Sequence, residues 1–322
     1  MKIIIPDDYQ NTVRQLNCFK LIADQDVTIY NDTVKDIDAL AERFADAEIL
    51  ILIRERTEIT EALLNRLPKL KLISQTGKIS NHLDLNACTR HNVAVAEGIG
   101  SPIAPAELTW TLIMNAVRKL PQAIQAMQNG LWQTNIGSTI HGKTIGIWGY
   151  GKIGQKIALY AKAFGANVLV WGSENSRNQA LKDGHSAAES KSFFFRNSDI
   201  VTLHLRLNES THEIVKESDL LMMKPNAIIV NTSRAELIQK NALINSLQQG
   251  RPGFAAVDVY ESEPITDIHY PLLQMPNVIC TPHLGYVEQN SYELYFEYAF
   301  KNIIAFINHN PINIANPIVL GI

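Results

Sequence analysis

A glycine-rich turn between a predicted strand and a predicted helix constrains the fold of this chain more than any other feature. The apolar run TIGIWG ends in the turn GYGKIG at 149–154, a helix-period stretch covers 152–163, and a second apolar run, NVLVW, follows at 167–171. The spacing G-x-G-x-x-G within a strand–helix–strand unit is typical of dinucleotide binding. A turn that serves packing alone is the alternative, but such a turn does not require these flanking elements.

Each glycine of the turn has its own physical role. Gly149 permits the tight turn, Gly151 lets the backbone approach a pyrophosphate, and Gly154 lets the helix pack closely on the strand. The phosphates are then expected on the free N–H groups at the positive end of the helix, near Lys152 and Ile153. We therefore predict that these residues bind a nicotinamide dinucleotide.

The end of the second strand indicates which dinucleotide to expect. An NAD-preferring fold places an Asp or Glu about 20 residues beyond the turn, where it accepts from the ribose 2′-hydroxyl. This chain has Gly172 there, followed by Ser173, Glu174, Ser176 and Arg177. A glycine removes repulsion against a 2′-phosphate, and Ser173 and Arg177 are suited to bind one. The sequence favours NADP(H), and Glu174 leaves NAD(H) open.

Short apolar runs alternate with helix-period stretches along the whole chain. Strands are predicted at 2–5, 27–30, 48–53, 70–74, 93–96, 144–149, 167–171, 200–205, 227–231, 254–259 and 277–281, and helices at 36–45, 60–66, 106–130, 152–163, 236–249 and 286–309. Val- and Ile-rich strands separated by helices imply an α/β fold of doubly wound parallel sheets covered on both faces.

Two Rossmann-like domains are expected, because 322 residues exceed the usual size of a single core. A break at Ser101-Pro102 separates the two series of strands, and the last long helix follows the second series. We predict a substrate-binding domain of residues 1–101 and 289–322. The dinucleotide-binding domain, residues 102–288, is inserted into it.

Composition argues against several classes of partner. The 29 basic and 32 acidic residues give a net charge of −3 without a basic stripe, so no nucleic acid is expected. The longest apolar run, ILILI at 49–53, is far shorter than the roughly 20 residues that span a bilayer, so no membrane partner is expected. Three separated cysteines and no cluster with metal-ligand spacing predict a cytoplasmic protein without a bound metal.

Isolated polar residues follow three strands of the second series. Arg234 lies in IIVNTSRAEL, Asp258 and Glu263 lie in FAAVDVYESEP, and His283 lies in VICTPHLGY. Ligands bind at the carboxyl ends of strands in open α/β sheets, so these side chains are expected near the cofactor. Each has an ordinary alternative: Arg234 as a surface charge, Glu263 as a turn residue and His283 as a loop histidine.

Hydride transfer between nicotinamide and a 2-hydroxy acid needs the three residue types found here. A cation must hold the substrate carboxylate and polarise the C2 oxygen, which suits Arg234. An acid/base must exchange the hydroxyl proton, which suits His283. A carboxylate must orient the imidazole and favour its protonated form, which suits Glu263.

The motifs TSRAEL, DVYESEP and TPHLG behind GYGKIG resemble those of the D-isomer-specific 2-hydroxyacid dehydrogenase family over essentially the whole chain. The resemblance implies that Arg234 binds the substrate, His283 exchanges the proton and Glu263 pairs with that histidine. It also implies that Asp258 holds the nicotinamide amide. Further residues that it places along the cofactor are His204, Thr232 and Gly285.

The first domain carries a second part of the resemblance. QTGKIS at 75–80 resembles the family's loop whose backbone amides bind the substrate carboxylate, here Gly77, Lys78 and Ile79. IRERT at 53–57 resembles a segment that sends an arginine to the substrate, which implies Arg54 and, as a second candidate, Arg56. Exposed charges on a solvated turn are the alternative for both arginines.

The family pattern also predicts the partners and leaves the substrate open. The helix after Pro105 resembles a dimerisation helix and implies a homodimer. Lys78 adds a cation to the predicted carboxylate loop, and Ala235 stands where relatives often have glycine. The leading hypothesis is an NAD(P)H-dependent reductase of a small 2-keto acid of the glyoxylate or hydroxypyruvate type. An NADH-sensing corepressor-like protein and a formate- or phosphite-type dehydrogenase are the alternatives.

Overall fold

The computed structural model describes residues 1–321, and their contacts divide the chain into two compact units. The inserted unit is Pro102–Val287. The terminal unit is Met1–Ser101 together with the chain from Glu288 onward. The observed boundary after the inserted unit lies one residue before the position predicted from the sequence.

The first part of the terminal unit forms a five-stranded parallel sheet. Its strands are β1 Lys2–Ile5, β2 Asp26–Ile29, β3 Ile49–Leu52, β4 Leu72–Gln75 and β5 Ala94–Ala96, in the order β2-β1-β3-β4-β5. The helices between them are α1 Ile37–Phe44, α2 Glu61–Leu64 and α3 Leu85–Arg90. All four residues of β3 are buried, because helices on both faces of a parallel sheet leave no solvated side.

The inserted unit forms a seven-stranded parallel sheet. Its helices are α4 Ile103–Arg118, α5 Leu120–Gln128, α6 Lys152–Ala163, α7 Glu174–Lys182, α8 Lys191–Asn197, α9 Glu217–Leu220 and α10 Ala242–Gln248. Its strands are β6 Thr144–Trp148, β7 Asn167–Trp171, β8 Ser186–Ala187, β9 Ile200–Leu203, β10 Ile228–Asn231, β11 Phe254–Val257 and β12 Val278–Cys280. The order β12-β11-β10-β9-β6-β7-β8 reverses direction between β6 and β9, which is the switch point where dinucleotides bind in such sheets.

A final helix, α11 Gln289–Ile307, returns the chain to the terminal unit. It packs against β4, where the Ser74 hydroxyl donates to the backbone oxygen of Ala299 at 2.9 Å. Phe296 and Phe300 on this helix are buried in that unit. Glu288 caps its start by accepting from the backbone N–H of Asn290 and Ser291.

Side chains of the seven-stranded sheet alternate between two apolar layers. In β6, Ile145 and Ile147 face the layer that includes α4 and α6, whereas Trp148 packs with Phe194 and Phe195 of α8 on the other side. This period of two is the geometry of a strand. The predicted α/β fold with two doubly wound parallel sheets is confirmed.

The prediction of one continuous helix over 106–130 is wrong, because the structure contains two helices there. Lys119 adopts a left-handed conformation with φ of 51° and separates α4 from α5. Pro121, at the start of α5, cannot continue the preceding helix because it lacks an N–H and its ring clashes with the previous turn. Proline and a left-handed residue together turn the chain.

Other elements also differ from the sequence prediction, and the helices α3, α7, α8 and α9 were not predicted. The helix predicted over 236–249 is restricted to α10, because Ala235–Leu237 form a short 3₁₀ turn instead. Strand β8 has only two residues and was not predicted, since two residues are too few to show a period. Across residues 1–321, no helix is both long enough and apolar enough to cross a bilayer.

Candidate active site

The glycine turn has the local geometry that a dinucleotide requires. Gly149 has φ of 100°, and a Cβ there would lie 2.4 Å from the backbone oxygen of His204. A Cβ on Gly154 would lie 2.1 Å from the backbone oxygen of Gly149, so the helix packs directly on the turn. A Cβ on Gly151 would meet no atom within 4 Å, so this glycine faces open space. These are the three separate roles that pyrophosphate binding assigns to the glycines.

Helix α6 presents its positive end to that open space. Gly151 is its N-cap and has no side chain, so the first N–H groups of the helix do not donate to a capping side chain. Lys152 is exposed and Ile153 half-buried in the first turn. Free N–H groups and the helix dipole favour an anionic ligand. The turn therefore fits the pyrophosphate of a dinucleotide.

The ribose end of the site lies where β7 passes into α7. Gly172 has φ of 152°, and Ser173 caps α7 by accepting from the backbone N–H of Ser176. The guanidinium of Arg177 lies 4.8 Å from the ring centroid of Trp171, a cation–π contact that holds it beside the strand end. Glu174 is exposed in the first turn of α7. The structure thus places hydroxyls, one guanidinium and one carboxylate together at this end.

His283 and Glu263 form a close pair at the ends of neighbouring strands. The imidazole Nδ1 lies 2.6 Å from Glu263 Oε2, and the other carboxylate oxygen accepts from the backbone N–H of Tyr260 at 3.0 Å. The ring of His283 also meets Tyr286 edge-on at 5.7 Å. Because Nδ1 faces the carboxylate, Nε2 is the nitrogen left to exchange a proton with a ligand.

Asp258 holds the loop that carries His283. Its carboxylate accepts from the Thr281 hydroxyl at 2.6 Å, from Leu284 N–H at 2.8 Å and from Gly285 N–H at 2.9 Å. The side chain has no exposed surface, and burial raises the pKa of Asp258 while the three donors and the nearby His283 oppose that rise. The residue was predicted to hold the nicotinamide amide, but the partners that the structure shows are its own loop.

The loop adopts a conformation that is rare for its residue types. His283 has φ of 53°, in the left-handed region, and its N–H donates to the backbone oxygen of Thr281 at 3.0 Å. A non-glycine residue there carries backbone strain that surrounding contacts must offset. The three hydrogen bonds to Asp258 supply those contacts.

Arg234 follows the adjacent strand β10 through a tightly held turn. Asn231 donates its side-chain amide to the backbone oxygen of Arg234 at 2.8 Å and accepts from Ser233 N–H at 3.0 Å. The Ser233 hydroxyl donates to Leu203 on β9 at 2.8 Å. The guanidinium of Arg234 donates to the Ser233 oxygen at 2.6 Å and is half-buried. The backbone that positions Arg234 is therefore fixed by partly buried hydrogen bonds.

His204 and Thr232 lie on the same edge of the sheet. Burial lowers the pKa of His204 to about 3, so its imidazole is neutral at physiological pH, and its Nε2 lies 3.0 Å from the Thr202 hydroxyl. The hydroxyl of Thr232 lies 2.7 Å from that of Thr109 on α4. The site residues predicted in this unit all follow adjacent parallel strands, which brings them to one edge.

In the terminal unit, Arg54 and Gly77 meet beyond the carboxyl ends of the neighbouring strands β3 and β4. A Cβ on Gly77 would overlap the Arg54 guanidinium, since Nη1 lies 2.0 Å from that position. Arg54 has φ of 56°, and its N–H donates to the Thr76 hydroxyl at 3.0 Å. Gln75 donates to its backbone oxygen at 2.7 Å. Arg54 therefore lies against the predicted carboxylate loop.

Arg56 has a different environment from Arg54. Its guanidinium donates to the backbone oxygen of Asp7 at 2.6 Å and lies 4.4 Å from the ring centroid of Tyr9. A longer contact of 3.4 Å joins it to the hydroxyl of Tyr292 on α11. These contacts connect β1, β3 and α11 within the terminal unit, which is a structural role.

The structure corrects the prediction for Ile79 and qualifies that for Lys78. The N–H of Ile79 donates to Glu97 Oε1 at 3.0 Å, so it is already occupied. The ammonium of Lys78 lies 2.7 Å from Glu97 Oε2. Within residues 1–321, the backbone N–H groups of Gly77 and Lys78 have no acceptor. The loop thus offers two backbone donors rather than three.

The sequence reasoning missed Glu97 and the loop-holding role of Asp258. Glu97 follows β5 directly, so the strand-end rule that selected Arg234 and His283 applied to it as well. Its contact with Ile79 joins residues 18 positions apart, and only the packing of the loop against β5 brings them together.

Comparison with known proteins identifies the family. A model of the D-isomer specific 2-hydroxyacid dehydrogenase NAD-binding domain matches residues 110–285. The chain is 30% identical to glyoxylate reductase of Thermococcus litoralis over 90% of its length and 86% of that protein. It is 36% identical to D-3-phosphoglycerate dehydrogenase of Methanocaldococcus jannaschii over 77% of its length but 47% of that protein, so it spans about half of that relative. The chain belongs to the D-isomer-specific 2-hydroxyacid dehydrogenase family.

A solved structure agrees with this assignment. The phosphoglycerate oxidoreductase of Vibrio cholerae O395 has a TM-score of 0.94 and 55% identity, over 96% of this chain and 99% of that one. The family predicted from the sequence motifs is therefore confirmed. Membership makes the chain an oxidoreductase that uses a nicotinamide cofactor and acts on the CH–OH group of 2-hydroxy acids.

Two glycine variants separate folding from cofactor binding. Gly154→Ala forces its Cβ against Gly149, so the melting temperature should fall by roughly 5 °C or more. Gly151 has φ of −85°, which alanine tolerates, and its Cβ would point into open space. Gly151→Ala should keep the melting temperature but weaken NADH and NADPH binding at least about tenfold, because the methyl group blocks the pyrophosphate.

Thermal unfolding and titration calorimetry with NADH and NADPH check both variants. Wild-type affinity for both cofactors in Gly151→Ala would contradict the assignment of the turn.

Proposed function

We propose that the chain reduces a small, unphosphorylated 2-keto acid of the glyoxylate or hydroxypyruvate type. The 2.6 Å contact between His283 and Glu263, which lies on the same edge of the sheet as Arg234 and the glycine turn, carries this proposal. Arg234, Glu263 and His283 follow the consecutive strands β10, β11 and β12, and the family's chemistry is hydride transfer, which supports their assignment as a cation and an acid/base pair. Glyoxylate reductase relatives, matched over most of both chains, support the substrate type.

The proton and the hydride follow separate routes. When bound, the nicotinamide supplies the hydride that adds to C2 of the keto acid. His283 gives the proton on Nε2 to the former carbonyl oxygen and ends as a neutral imidazole. Glu263 stabilises the protonated imidazole before transfer and fixes its orientation. Arg234 polarises the carbonyl oxygen as negative charge develops on it. Oxidation of the hydroxy acid runs through the same groups in reverse.

The terminal unit contains the groups that are proposed to donate hydrogen bonds to the substrate carboxylate. The backbone N–H groups of Gly77 and Lys78, together with the Arg54 guanidinium that packs on Gly77, bind the substrate carboxylate. Backbone N–H groups together with a guanidinium are well suited to bind a carboxylate, because they combine hydrogen bonds with an opposite charge. Ile79 is not part of this set, because Glu97 occupies its N–H.

A phosphorylated three-carbon acid is the second candidate substrate. The names of the Vibrio cholerae and Methanocaldococcus jannaschii relatives favour it. The charges of the carboxylate loop favour an unphosphorylated acid, because Lys78, the one cation on residues 75–80, is paired with Glu97. We rank the unphosphorylated acid first on that ground.

Variants of the proposed catalytic residues test the reaction. His283→Gln and Arg234→Gln should each lower kcat for glyoxylate and hydroxypyruvate by roughly 10²- to 10⁴-fold, because proton transfer and charge stabilisation are lost. Dinucleotide affinity should stay within about twofold, since the glycine turn is unchanged. His212→Gln, at an exposed histidine of the same unit, is the matched control and should keep full activity. Near-normal turnover by His283→Gln would refute the assignment.

We propose NADP(H) as the preferred cofactor. Ser173 and Ser176 lie at the start of α7, and Arg177 is held beside them on Trp171. A 2′-phosphate there would meet hydroxyls, a guanidinium and the positive end of the helix. Glu174 is the one carboxylate in the first turn of α7.

Single substitutions in α7 test the cofactor preference. Arg177→Gln should lower kcat/KM for NADPH by about tenfold and leave NADH nearly unchanged, because one charge-assisted hydrogen bond is lost. Glu174→Gln should raise kcat/KM for NADPH. Arg196→Gln, at an exposed arginine of α8, is the control. Equal losses for NADH and NADPH in Arg177→Gln would contradict the proposal.

We also propose a homodimer, with its interface shifted from the position predicted from the sequence. Helix α4, which follows the break at Ser101-Pro102, buries Leu112, Ile113 and Val117 against its own unit. Large exposed apolar side chains lie instead on and after α5: Leu120, Ile124, Met127, Leu131, Trp132 and Ile136. Such a concentration of apolar surface is typical of a self-association interface.

Charged substitutions in this surface test the dimer. Met127→Asp with Ile136→Asp should convert a dimer to a monomer in sedimentation velocity, because both side chains would be buried between copies. Ile318→Asp, in the terminal unit and equally exposed, should leave the dimer intact. A wild-type monomer, or a dimer unaffected by the double variant, would contradict the proposal.

A cytoplasmic location is proposed as well. Cys18, Cys88 and Cys280 are all free thiols in the structure, and two of them are buried. Free thiols persist in reducing compartments.

A further inference from the structure

Two threonine hydroxyls connect helix α4 to the turn that follows strand β10. Thr109 on α4 has no exposed surface, and its hydroxyl lies 2.7 Å from the backbone oxygen of Pro105 and 2.7 Å from the hydroxyl of Thr232. Thr232 directly follows β10 and is half-buried. Ile113 of α4 belongs to the same apolar layer as Val230 of β10, so the packing of helix on strand holds the two hydroxyls together.

The number of protons fixes the direction of both hydrogen bonds. Two oxygens that lie 2.7 Å apart need a proton between them, and the carbonyl of Pro105 has none. The single hydroxyl proton of Thr109 is therefore donated to Pro105, and Thr109 accepts from Thr232. Within residues 1–321 the Thr232 hydroxyl makes no other hydrogen bond. Because its single proton is committed to Thr109, the Thr232 oxygen acts toward a ligand as an acceptor.

The place of β10 in the sheet indicates which half of a dinucleotide lies nearest. Strand β6, which leads into the glycine turn, lies between β7 and β9, and β10 follows β9. Ser173 and Arg177 follow β7, whereas Arg234 and His283 follow strands on the other side of the turn. A dinucleotide binds across the switch point, so its adenosine half belongs toward β7 and its nicotinamide half toward β9 and β10. That half contains hydrogen-bond donors in its carboxamide and its ribose.

We infer that Thr109 is a positioning residue for cofactor binding, because it holds the proton of Thr232 and so makes Thr232 an acceptor for the nicotinamide riboside half. This inference deepens the proposed function and rests on it for the side of the turn on which the nicotinamide lies. Thr109 is fully buried and acts through Thr232. Without the Thr109 hydroxyl, the proton of Thr232 turns to solvent on the exposed side, and cofactor binding there displaces that solvent partner.

Titration calorimetry with NADH, ADP-ribose and ADP tests the inference. Thr232→Val removes the acceptor, and Thr109→Val removes the group that orients it while keeping a branched side chain of similar size. Each variant should weaken NADH binding by about three- to tenfold, the effect of one hydrogen bond. ADP binding should change by less than about twofold, because ADP lacks the nicotinamide riboside. A matching loss for ADP-ribose identifies the donor as a ribose hydroxyl, and unchanged ADP-ribose binding identifies it as the carboxamide.

A double variant separates positioning from a purely structural role. Because Thr109 acts through Thr232, Thr109→Val with Thr232→Val should bind NADH no more weakly than Thr232→Val alone. Thr109→Ser keeps the hydroxyl and should restore wild-type affinity. Thr111→Val, at an exposed threonine of the same helix, is the matched control. Thr109→Ala removes the same hydroxyl and takes the place of Thr109→Val if that variant does not fold.

Three results would overturn the inference. They are unchanged NADH affinity in Thr232→Val, equal losses for NADH and ADP, and losses that add in the double variant. The titrations need no turnover, so they test the two threonines separately from the reaction. A wild-type enzyme that binds NADH but reduces no 2-keto acid would refute the proposed function instead.

Discussion

One buried carboxylate, that of Asp258, holds together the part of the inserted unit where the chemistry is proposed to occur. It accepts three hydrogen bonds from the loop at 281–285, each from a different residue. Hydrogen bonds to a charged acceptor contribute roughly 1.5–3 kcal/mol each. Together they oppose the effect of burial, which on balance still raises the pKa of Asp258, and they keep His283 in its left-handed conformation. The contact between His283 and Glu263 depends on this anchor.

Both units place candidate residues by the same rule. Parallel strands end at one edge of a sheet, so residues that follow neighbouring strands meet there. In the inserted unit this edge holds the glycine turn, Arg234 and His283. In the terminal unit it holds Arg54 and the carboxylate loop at 75–80. In each unit a non-glycine residue near that edge, His283 or Arg54, has a positive φ and is fixed by side-chain hydrogen bonds.

The sequence predicted the features that depend on local residue patterns, namely the positions of most strands and the roles of the three glycines. Apolar runs located eleven of the strands to within two residues at either end, and the spacing of Gly149, Gly151 and Gly154 predicted three roles that their geometry fits. Contacts between distant segments were not predictable in this way. Glu97 meets Ile79, and Asp258 meets Thr281, only because the strands pair in a particular register. The break at Lys119 had a local signal in Pro121, which the apolar period of the surrounding helices concealed.

The most direct test of this account is the turnover of Glu263→Gln. The substitution keeps the size of the side chain and an oxygen that can accept from Tyr260, but it removes the charge that faces His283 Nδ1. We predict that kcat for 2-keto acid reduction falls by at least about tenfold, because the protonated imidazole of His283 loses the carboxylate that stabilises it. The affinity for NADH and NADPH should be unchanged. Unchanged kcat would show that the carboxylate does not assist His283 and would contradict the proposed acid/base pair.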